Sequence, residues 1–176
     1  MSGGQHIDEC DRLWRPMSAD DLAAVHALSM RVHPNYPERA EVLAEKFRLF
    51  PLGCFVLQTS GGIAGYCFSH PWSKGTVPAL DSLLGALPVT PTTYYVHDLT
   101  LDEALRGQGQ GRAIVPLLFK AAQSLGLAHL SLVAVNRRGP FWQAAGFART
   151  ADESLQAMAR AKYDWDAVHM EMERGL

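Results

Sequence analysis

One short segment of the sequence has the composition of an anion-binding loop: Arg106-Gly107-Gln108-Gly109-Gln110-Gly111-Arg112. Because glycine lacks a Cβ atom, the backbone N–H groups of such a loop can turn toward a bound anion. The apolar pattern predicts a strand before the loop and a helix after it, and a helix N-terminus adds unpaired N–H groups and partial positive charge. The segment is therefore suited to hold a pyrophosphate, with Arg106 and Arg112 adding charge at its rim.

Other phosphate-binding motifs fit this segment less well. A Walker loop requires Gly-Lys-Ser/Thr, whereas Gly111 is followed by Arg112 and Ala113. A dinucleotide fingerprint would begin at Gly107 and Gly109, but its third glycine falls on Arg112 and no early βαβ unit surrounds it. A flexible turn without a ligand is the remaining alternative.

A second group of residues lies further along the chain: Asn136, the pair Phe141-Trp142, and Gly146-Phe147. In order and spacing, the two groups together resemble the signatures of the GNAT N-acetyltransferase superfamily, whose loop signature is Arg/Gln-x-x-Gly-x-Gly/Ala. The resemblance extends over about residues 13–147. It implies an α/β (α+β) fold with a mixed, splayed central sheet flanked by helices. It also implies direct transfer of an acetyl group from acetyl-CoA to an unidentified primary amine, with no metal involved.

The resemblance further implies which residues contact acetyl-CoA. The end of the strand before the loop would pair with the pantetheine arm as if the arm were another strand. The loop amides would hold the pyrophosphate, and Asn136 would contact the pantetheine, although an ordinary turn asparagine is the alternative. The predicted cofactor-binding residues are Leu99, Thr100, Leu101, Arg106, Gly107, Gln108, Gly109, Gln110, Gly111, Arg112, Asn136 and Trp142.

Acyl transfer to an amine requires a base, because only the neutral amine attacks. We predict His97, since an ordinary imidazole pKa of about 6.5 suits this task. Arylalkylamine acetyltransferases of the family resemble the chain here, with one histidine at the position of His97 and another at that of Tyr95. Strand alternation places Tyr95, His97, Leu99 and Leu101 on one face. Asp98 is the alternative base, because a β-bulge would exchange the faces; a hydrogen-bonded core histidine is the alternative for His97.

The proton donor for the leaving thiolate is where the sequence departs from the family pattern. Many members carry a tyrosine four residues before the Gly-Phe glycine, and this chain has Trp142 there. An indole N–H donates a hydrogen bond but does not give up its proton. Either Tyr95 or Tyr163 protonates the thiolate, or the thiolate leaves unassisted.

An aromatic acceptor pocket is a further hypothesis. The pocket would lie near His70, and an aromatic wall would favour a cationic or aromatic amine. Ordinary core packing explains each side chain equally well. The wall residues would be Tyr36, Trp72, Tyr94 and Tyr95.

The elements that must position these residues follow from hydrophobic periodicity. The predicted order is β-α-α-β-β-β-α-β-α-β: strand 13–17, helices 18–33 and 38–50, strands 54–57 and 63–68, strand 94–101, helix 109–125, strand 129–135, helix 140–145 and a strand from 147. A further strand is expected after these, near 167–172. Pro116 predicts a kink or a late start in the helix over 109–125, and Gly126 is the expected C-cap of that helix. Residues 71–92 form a long connection, either functional or containing a short helix. The 164–173 segment is interpreted as a mostly solvated edge.

Composition limits the remaining possibilities. A length of 176 residues suits one domain, expected over residues 11–176, and the polar residues 1–10 are expected to form a loose N-terminal arm. A net charge of -2 without a basic run argues against nucleic acid. The polar N-terminus lacks the apolar region of a signal peptide, and no apolar run approaches the length of a membrane span. Cys10, Cys54 and Cys67 form no motif, so free thiols and a cytoplasmic setting are expected. Dimers are common in the family.

Two further functions remain as alternatives. A non-catalytic acyl-CoA-binding or regulatory module of the same fold would explain the tryptophan at position 142. An enzyme acting on a nucleotide phosphate would use the same glycine loop in a different way.

Overall fold

The computed structural model describes residues 13–175. Within them lie seven strands: β1 (Leu13–Pro16), β2 (Cys54–Thr59), β3 (Gly62–Trp72), β4 (Thr93–Leu101), β5 (His129–Ala134), β6 (Ala148–Arg149) and β7 (Val168–Glu173). The α-helices are α1 (Leu22–Val32), α2 (Ala40–Leu49), α3 (Gln110–Ala113), α4 (Val115–Ser124), α5 (Gly139–Ala144) and α6 (Glu153–Lys162). The proposed arm over residues 1–10, with Cys10, lies outside the described residues.

The strands form one mixed sheet in the order β1-β2-β3-β4-β5-β7-β6. Neighbouring strands are antiparallel except for β4 and β5, which run parallel. The chain between β4 and β5 contains the glycine loop and two helices, as a parallel connection requires. The predicted mixed sheet flanked by helices is confirmed.

Each face of the sheet carries its own hydrophobic cluster. Because successive strand side chains point to opposite faces, Val56 and Tyr66 belong to one cluster while their neighbours Leu57 and Cys67 belong to the other. Helices α1 and α2 cover the first face through residues such as Leu28 and Leu43. The second face is covered by Leu118 and Ala122 of α4, by Ile114 just before this helix, and by Trp142 of α5. Buried, unpaired thiols were expected at Cys54 and Cys67, and both are buried and free.

Several local predictions are confirmed at the helix ends. The Ser18 amide donates to Asp21 Oδ2 over 2.8 Å, which is the predicted capping interaction before α1. The predicted helix over 109–125 is divided into α3 and α4 around Ile114, and α4 restarts with Pro116 in its first turn, where the missing N–H costs nothing. Gly126 follows α4 with a φ of 68°, the left-handed conformation of a C-cap glycine.

The long connection contains no helix. Residues 73–92, all of which are described, form short turns, bends and irregular backbone. Side chains of the α2 region hold this segment instead: Glu45 accepts hydrogen bonds from the amides of Leu84 and Gly85, at 2.6 and 3.1 Å. Arg39 pairs with Asp81 at 3.1 Å. The prolines of the segment cannot donate backbone hydrogen bonds, which disfavours a helix. The amides of Leu84 and Gly85 bond to a side chain of α2 instead of to carbonyl groups of the segment.

The C-terminal part differs from the prediction in two ways. Helix α6 was not predicted, although Asp152 caps it by accepting from the Ser154 amide at 2.8 Å. The interpretation of 164–173 as a mostly solvated edge is wrong for β7, which lies between β5 and β6. His169 and Met170 are both buried. Gln156 of α6 bonds to the backbone N–H and carbonyl of His169, and Met170 packs in the hydrophobic core. No helix within the described residues is long and apolar enough to cross a membrane.

Candidate active site

The two parallel strands at the centre of the sheet separate halfway along their length. They pair at Tyr94↔Leu130, Tyr95↔Ser131 and Val96↔Leu132, and the described register ends there. The closed end is fastened by Thr93, whose Oγ1 lies 2.9 Å from Ser131 Oγ and 2.8 Å from His129 Nδ1. Beyond Val96, β4 keeps its partner β3 but has no pairing with β5. The edge of β4 toward β5 is therefore open along residues 97–101.

A β-bulge lies where the strands separate. In the pairing of β3 with β4, Phe68 is opposite Asp98 and Ser69 is opposite Val96, so that His97 is the extra residue. Tyr95 and His97 consequently share a face with Asp98, while Leu99 packs in the cluster on the other face. The predicted shared face of Tyr95, His97, Leu99 and Leu101 is wrong, because the bulge exchanges the faces as the alternative anticipated.

Two adjoining cavities occupy the opening. The His97 cavity is lined by Glu38, His97, Leu132 and Tyr163, among others. The loop groove is lined by Thr100, Leu101, Arg106, Gly111 and Phe141, among others. The wall common to both consists of His33, Tyr36, Asp98, Leu99, Val135, Asn136, Arg138 and Trp142.

His97 is the buried histidine of the first cavity. Its side chain is 1% exposed, and its Nε2 lies 3.7 Å from Glu38 Oε1. Neither ring nitrogen has a hydrogen-bond partner among the described residues. Burial lowers the pKa of His97, Lys46 lowers it further, and Glu38 partly offsets both effects. A neutral imidazole with free nitrogens thus faces the cavity, which is not the hydrogen-bonded core histidine that formed the alternative.

A buried ion pair supports His97 from the α2 side. Lys46 Nζ lies 3.4 Å from Glu38 Oε1, both side chains are almost fully buried, and the Asp81 amide donates to the same oxygen at 3.3 Å. Burial raises the pKa of Glu38, but His97 and Lys46 outweigh it, and the pKa falls to about 2. Neither residue was predicted from the sequence, because the charged segment around α2 carries no pattern that indicates which charges face inward.

Asp98, the alternative base, uses both carboxylate oxygens within the protein. Tyr66 Oη donates to Oδ2 at 2.8 Å, and Thr100 Oγ1 donates to Oδ1 at 3.0 Å. Thr100 Oγ1 also lies 2.8 Å from His33 Nε2. Burial raises the pKa of Asp98, and His33 partly reverses this. Asp98 is therefore the centre of a chain of hydrogen bonds that ends at His33, on the wall common to both cavities.

The tyrosines considered as proton donors lie deep beside His97. Tyr95 is fully buried, and its hydroxyl lies 3.2 Å from that of Tyr163. Burial raises the pKa of both, that of Tyr163 well above 10. Of the two, Tyr163 lines the His97 cavity. Trp142 is buried edge-to-face against Phe141 and Phe147 and lines both cavities.

The glycine loop has the backbone conformation that its composition requires. Gly107 and Gly109 have φ values of 73° and 81°, and in the described part of the chain their amides have no hydrogen-bond acceptor. A Cβ on Gly111 would lie 3.1 Å from the Phe141 ring, so glycine allows the close approach of α3 to α5. The Arg112 amide already donates to the Gly109 carbonyl at 3.0 Å.

The structure brings only some of the predicted cofactor residues to the loop groove. Leu99, Thr100, Leu101, Arg106, Gly111, Asn136 and Trp142 line it. Gly107, Gln108 and Gly109 are in the adjoining loop, and Gln110 begins α3. Trp14 Nε1 donates to the Gln110 carbonyl at 2.9 Å, and Gln108 Nε2 donates to the Ala104 carbonyl at 2.7 Å. Arg112 lines a separate cleft with Phe119 and Lys120.

Asn136 is both a turn residue and a wall residue. It and Arg137 have φ values of 53° and 58°, and the Arg138 amide closes the turn onto the Val135 carbonyl at 3.1 Å. Asparagine tolerates this left-handed conformation better than most residues. Because both cavities include Asn136, the turn places an amide side chain at their junction.

Of the four aromatic residues suggested as acceptor walls, Tyr36 lines the cavities and donates its hydroxyl proton to Asp164. Tyr94 faces the opposite side of the sheet, where its hydroxyl lies 2.8 Å from Ser69 Oγ. Trp72 lines a cleft under the 73–92 segment. His70 is buried against His97, and burial lowers its pKa to about 3. Within residues 13–175, no group of three or more His, Cys, Asp or Glu side chains could hold a metal ion.

Comparison with known proteins adds to this geometry. The model of the acetyltransferase (GNAT) family matches residues 19–147. Among curated proteins, none matches the chain. Among solved structures, Ard1 from Thermoplasma volcanium superposes with a TM-score of 0.72 at 15% identity, covering 94% of this chain and 99% of that one. The loading GNATL domain of CurA from Lyngbya majuscula gives 0.76 at 15% identity, covering 92% and 97%.

A third solved structure contains a ligand. N-acetylglutamate synthase from Neisseria gonorrhoeae, complexed with coenzyme A and N-acetyl-glutamate, superposes with a TM-score of 0.67 at 13% identity. The match covers 96% of this chain and 36% of that one. At these identities the three likenesses concern the fold.

Proposed function

This chain belongs to the acetyltransferase (GNAT) family, and from that premise we propose that it transfers an acetyl group from acetyl-CoA to a primary amine. The observation that carries the proposal is the open edge of β4. It begins at a buried, neutral histidine and leads toward a loop whose glycine amides lack acceptors. An acyl-CoA is a long molecule with an amide-containing arm and a pyrophosphate, and it matches this succession of features.

The donor would bind along the loop groove. The backbone of Leu99 to Leu101 has a strand partner on one side only, so the pantetheine amides can pair with it as an added strand. The pyrophosphate would accept hydrogen bonds from the amides of Gly107 and Gly109, with Arg106 beside the groove. The thioester then falls at the junction of the two cavities, next to Asn136 and Trp142.

The amine would bind in the His97 cavity. Its ammonium group transfers one proton to His97, and the neutral amine attacks the thioester carbonyl carbon. The C–N bond forms, the C–S bond breaks, and the thiolate takes up a proton. His97 returns the proton it accepted to solvent. The cavity wall contains the carboxylates of Glu38, Asp98 and Asp164, which favours a cationic acceptor.

His33 is the group we assign to protonate the thiolate. Trp142 cannot give up its proton, and Tyr163 has a pKa above that of an ordinary thiol, so proton transfer from it would be unfavourable. Because Thr100 Oγ1 donates to Asp98, it accepts from His33 Nε2, which leaves Nδ1 for the thiolate. A proton on His33 Nδ1 passes to sulfur, and His33 recovers one from the nitrogen of the new amide.

A non-catalytic acyl-CoA-binding module is the second candidate, and the tryptophan at position 142 favours it. A module that only binds has no use for a buried imidazole without hydrogen-bond partners, because such groups destabilise the fold. His97 therefore favours the enzyme.

The loop assignment predicts that Gly109→Ala weakens coenzyme A binding by about tenfold, because a side chain in the left-handed region costs about 1–2 kcal/mol. The alternative conformation would turn the amide away from the pyrophosphate. Titration calorimetry with coenzyme A measures the change. Gly75→Ala is the control, since Gly75 has a similar φ of 80° and lies in the 73–92 segment. Equal affinity of Gly109→Ala and the unaltered protein would contradict the assignment.

The base assignment predicts that His97→Ala lowers turnover by about 10²–10⁴-fold. Thiol release from acetyl-CoA, measured across a panel of primary amines, reports turnover. Coenzyme A affinity of the same variant should stay within about twofold, since His97 lies outside the loop groove. Undiminished turnover would remove His97 as the base, and the absence of turnover with every amine in the unaltered protein would favour the binding module.

The assignment of His33 predicts a dependence on the leaving group. His33→Gln should lower kcat/KM with acetyl-CoA by about 100-fold. With S-(4-nitrophenyl) thioacetate the loss should be much smaller, because its acidic thiol departs without a proton. His26→Gln is the control, because His26 is a histidine of α1, the helix that ends just before His33, and lines neither cavity. An equal loss with both donors would show that His33 does not protonate the thiolate.

A further inference from the structure

We propose that Glu38 is a positioning residue for His97, holding the imidazolium that forms when His97 takes the proton of the amine, and that Lys46 limits the strength of this interaction. The inference rests on the proposed function, since it concerns the same proton transfer. It adds to the reaction two residues of the α2 region that no motif in the chain indicates.

The geometry connects the three side chains through one oxygen. Glu38 Oε1 lies 3.7 Å from His97 Nε2 and 3.4 Å from Lys46 Nζ. The other oxygen, Oε2, is buried without a hydrogen-bond partner among the described residues. Glu38 and His97 both line the His97 cavity, whereas Lys46 lies behind them. The same carboxylate oxygen therefore serves both a lysine ammonium group and a histidine that becomes a cation during the reaction.

Burial makes such a partner necessary. The His97 side chain is 1% exposed, and a lone imidazolium would lose most of its hydration there. A carboxylate at ion-pair distance compensates for that loss when the proton arrives. Lys46 holds the carboxylate in its ionised form before the proton arrives, and its own charge repels the imidazolium. The proton can therefore leave again, which a base must allow in each turnover.

Other groups around His97 do not replace Glu38 in this role. Asp98 has both oxygens in hydrogen bonds to Tyr66 and Thr100. His70, 5.7 Å away between ring centres, is neutral near pH 7 because burial lowers its pKa. The titratable and charged groups next to His97 are Glu38 and Lys46 from the α2 region, His70 from β3, and Tyr95 and Asp98 from β4. The cavity that His97 faces is also lined by His33 after α1, Tyr36 before α2, Arg138 before α5, and Tyr163 and Asp164 after α6.

The proposal predicts opposite shifts for two substitutions. Glu38→Gln removes the partner of the imidazolium, so the pKa of His97 should fall by at least about one unit. The acidic limb of kcat/KM then moves to lower pH, and the maximal rate falls because the base is weaker. Lys46→Met removes a repelling cation, so the same limb should move to higher pH. A variant that merely damages the fold lowers the rate without moving the limb in a set direction.

The experiment measures the His97 ring signals by NMR across pH in both variants, together with the pH profile of thiol release. Loss of a signal in His97→Ala identifies the His97 resonance. Glu41→Gln is the matched control, since Glu41 is an exposed carboxylate in the first turn of α2 and is paired with Arg39. It should leave both readouts unchanged.

The possible outcomes distinguish failure of the transferase function from failure of the Glu38–His97 interaction. If the unaltered protein turns over no amine while the pKa of His97 shifts as predicted, the transferase function fails and the Glu38–His97 interaction stands. If the protein is active but Glu38→Gln leaves the pKa and the acidic limb in place, Glu38 has no such role. Should Glu38→Gln not fold, an unchanged or lowered His97 pKa in Lys46→Met overturns the proposal by itself.

Discussion

The separation of β4 from β5 after Val96 is the feature on which the rest of the site depends. Parallel strands normally satisfy each other's backbone groups along their whole length. Here they are fastened at one end by Thr93, Ser131 and His129, and then diverge. The unused edge of β4 lies between two cavities and ends next to the glycine loop. A ligand that contains amide groups can take the place of the missing strand.

The bulge at His97 connects this opening with the chemistry. An extra residue in β4 turns His97 and Asp98 to the same face, so that one remains free in the cavity and the other bonds to Tyr66 and Thr100. The surroundings of His97 are costly for the fold, because a buried ion pair and unpartnered ring nitrogens stabilise it poorly. Features of this kind concentrate where a protein binds and transforms a ligand.

The sequence predicted those parts of the structure that depend on local chemistry. The positive φ values of Gly107 and Gly109, the capping of α1 by Ser18 and Asp21, and the late start of α4 at Pro116 each follow from a few adjacent residues. The mixed sheet followed from the order of apolar segments and from the family resemblance. Turn chemistry likewise explains why an asparagine stands at position 136, where the backbone is left-handed.

The parts that the sequence did not predict depend on distant partners. The bulge arises from the pairing of β3 with β4, so strand alternation alone assigned Leu99 to the wrong face. Glu38 and Lys46 resemble any surface charges until α2 is placed over the sheet. Strand β7 has glutamates at positions 171 and 173, typical of an edge, yet α6 and β6 cover it. The Asp152 cap of α6 was a local signal, but the weakly apolar residues after it gave no clear helical stripe.

The most direct test of the central claim is a crystal structure of the protein with coenzyme A. The account predicts that the pantetheine amides bond to the backbone of Leu99 and Leu101 along the open edge of β4, with the pyrophosphate on the amides of Gly107 and Gly109. Coenzyme A bound elsewhere, or a β5 that closes onto β4 beyond Val96 in its presence, would contradict it.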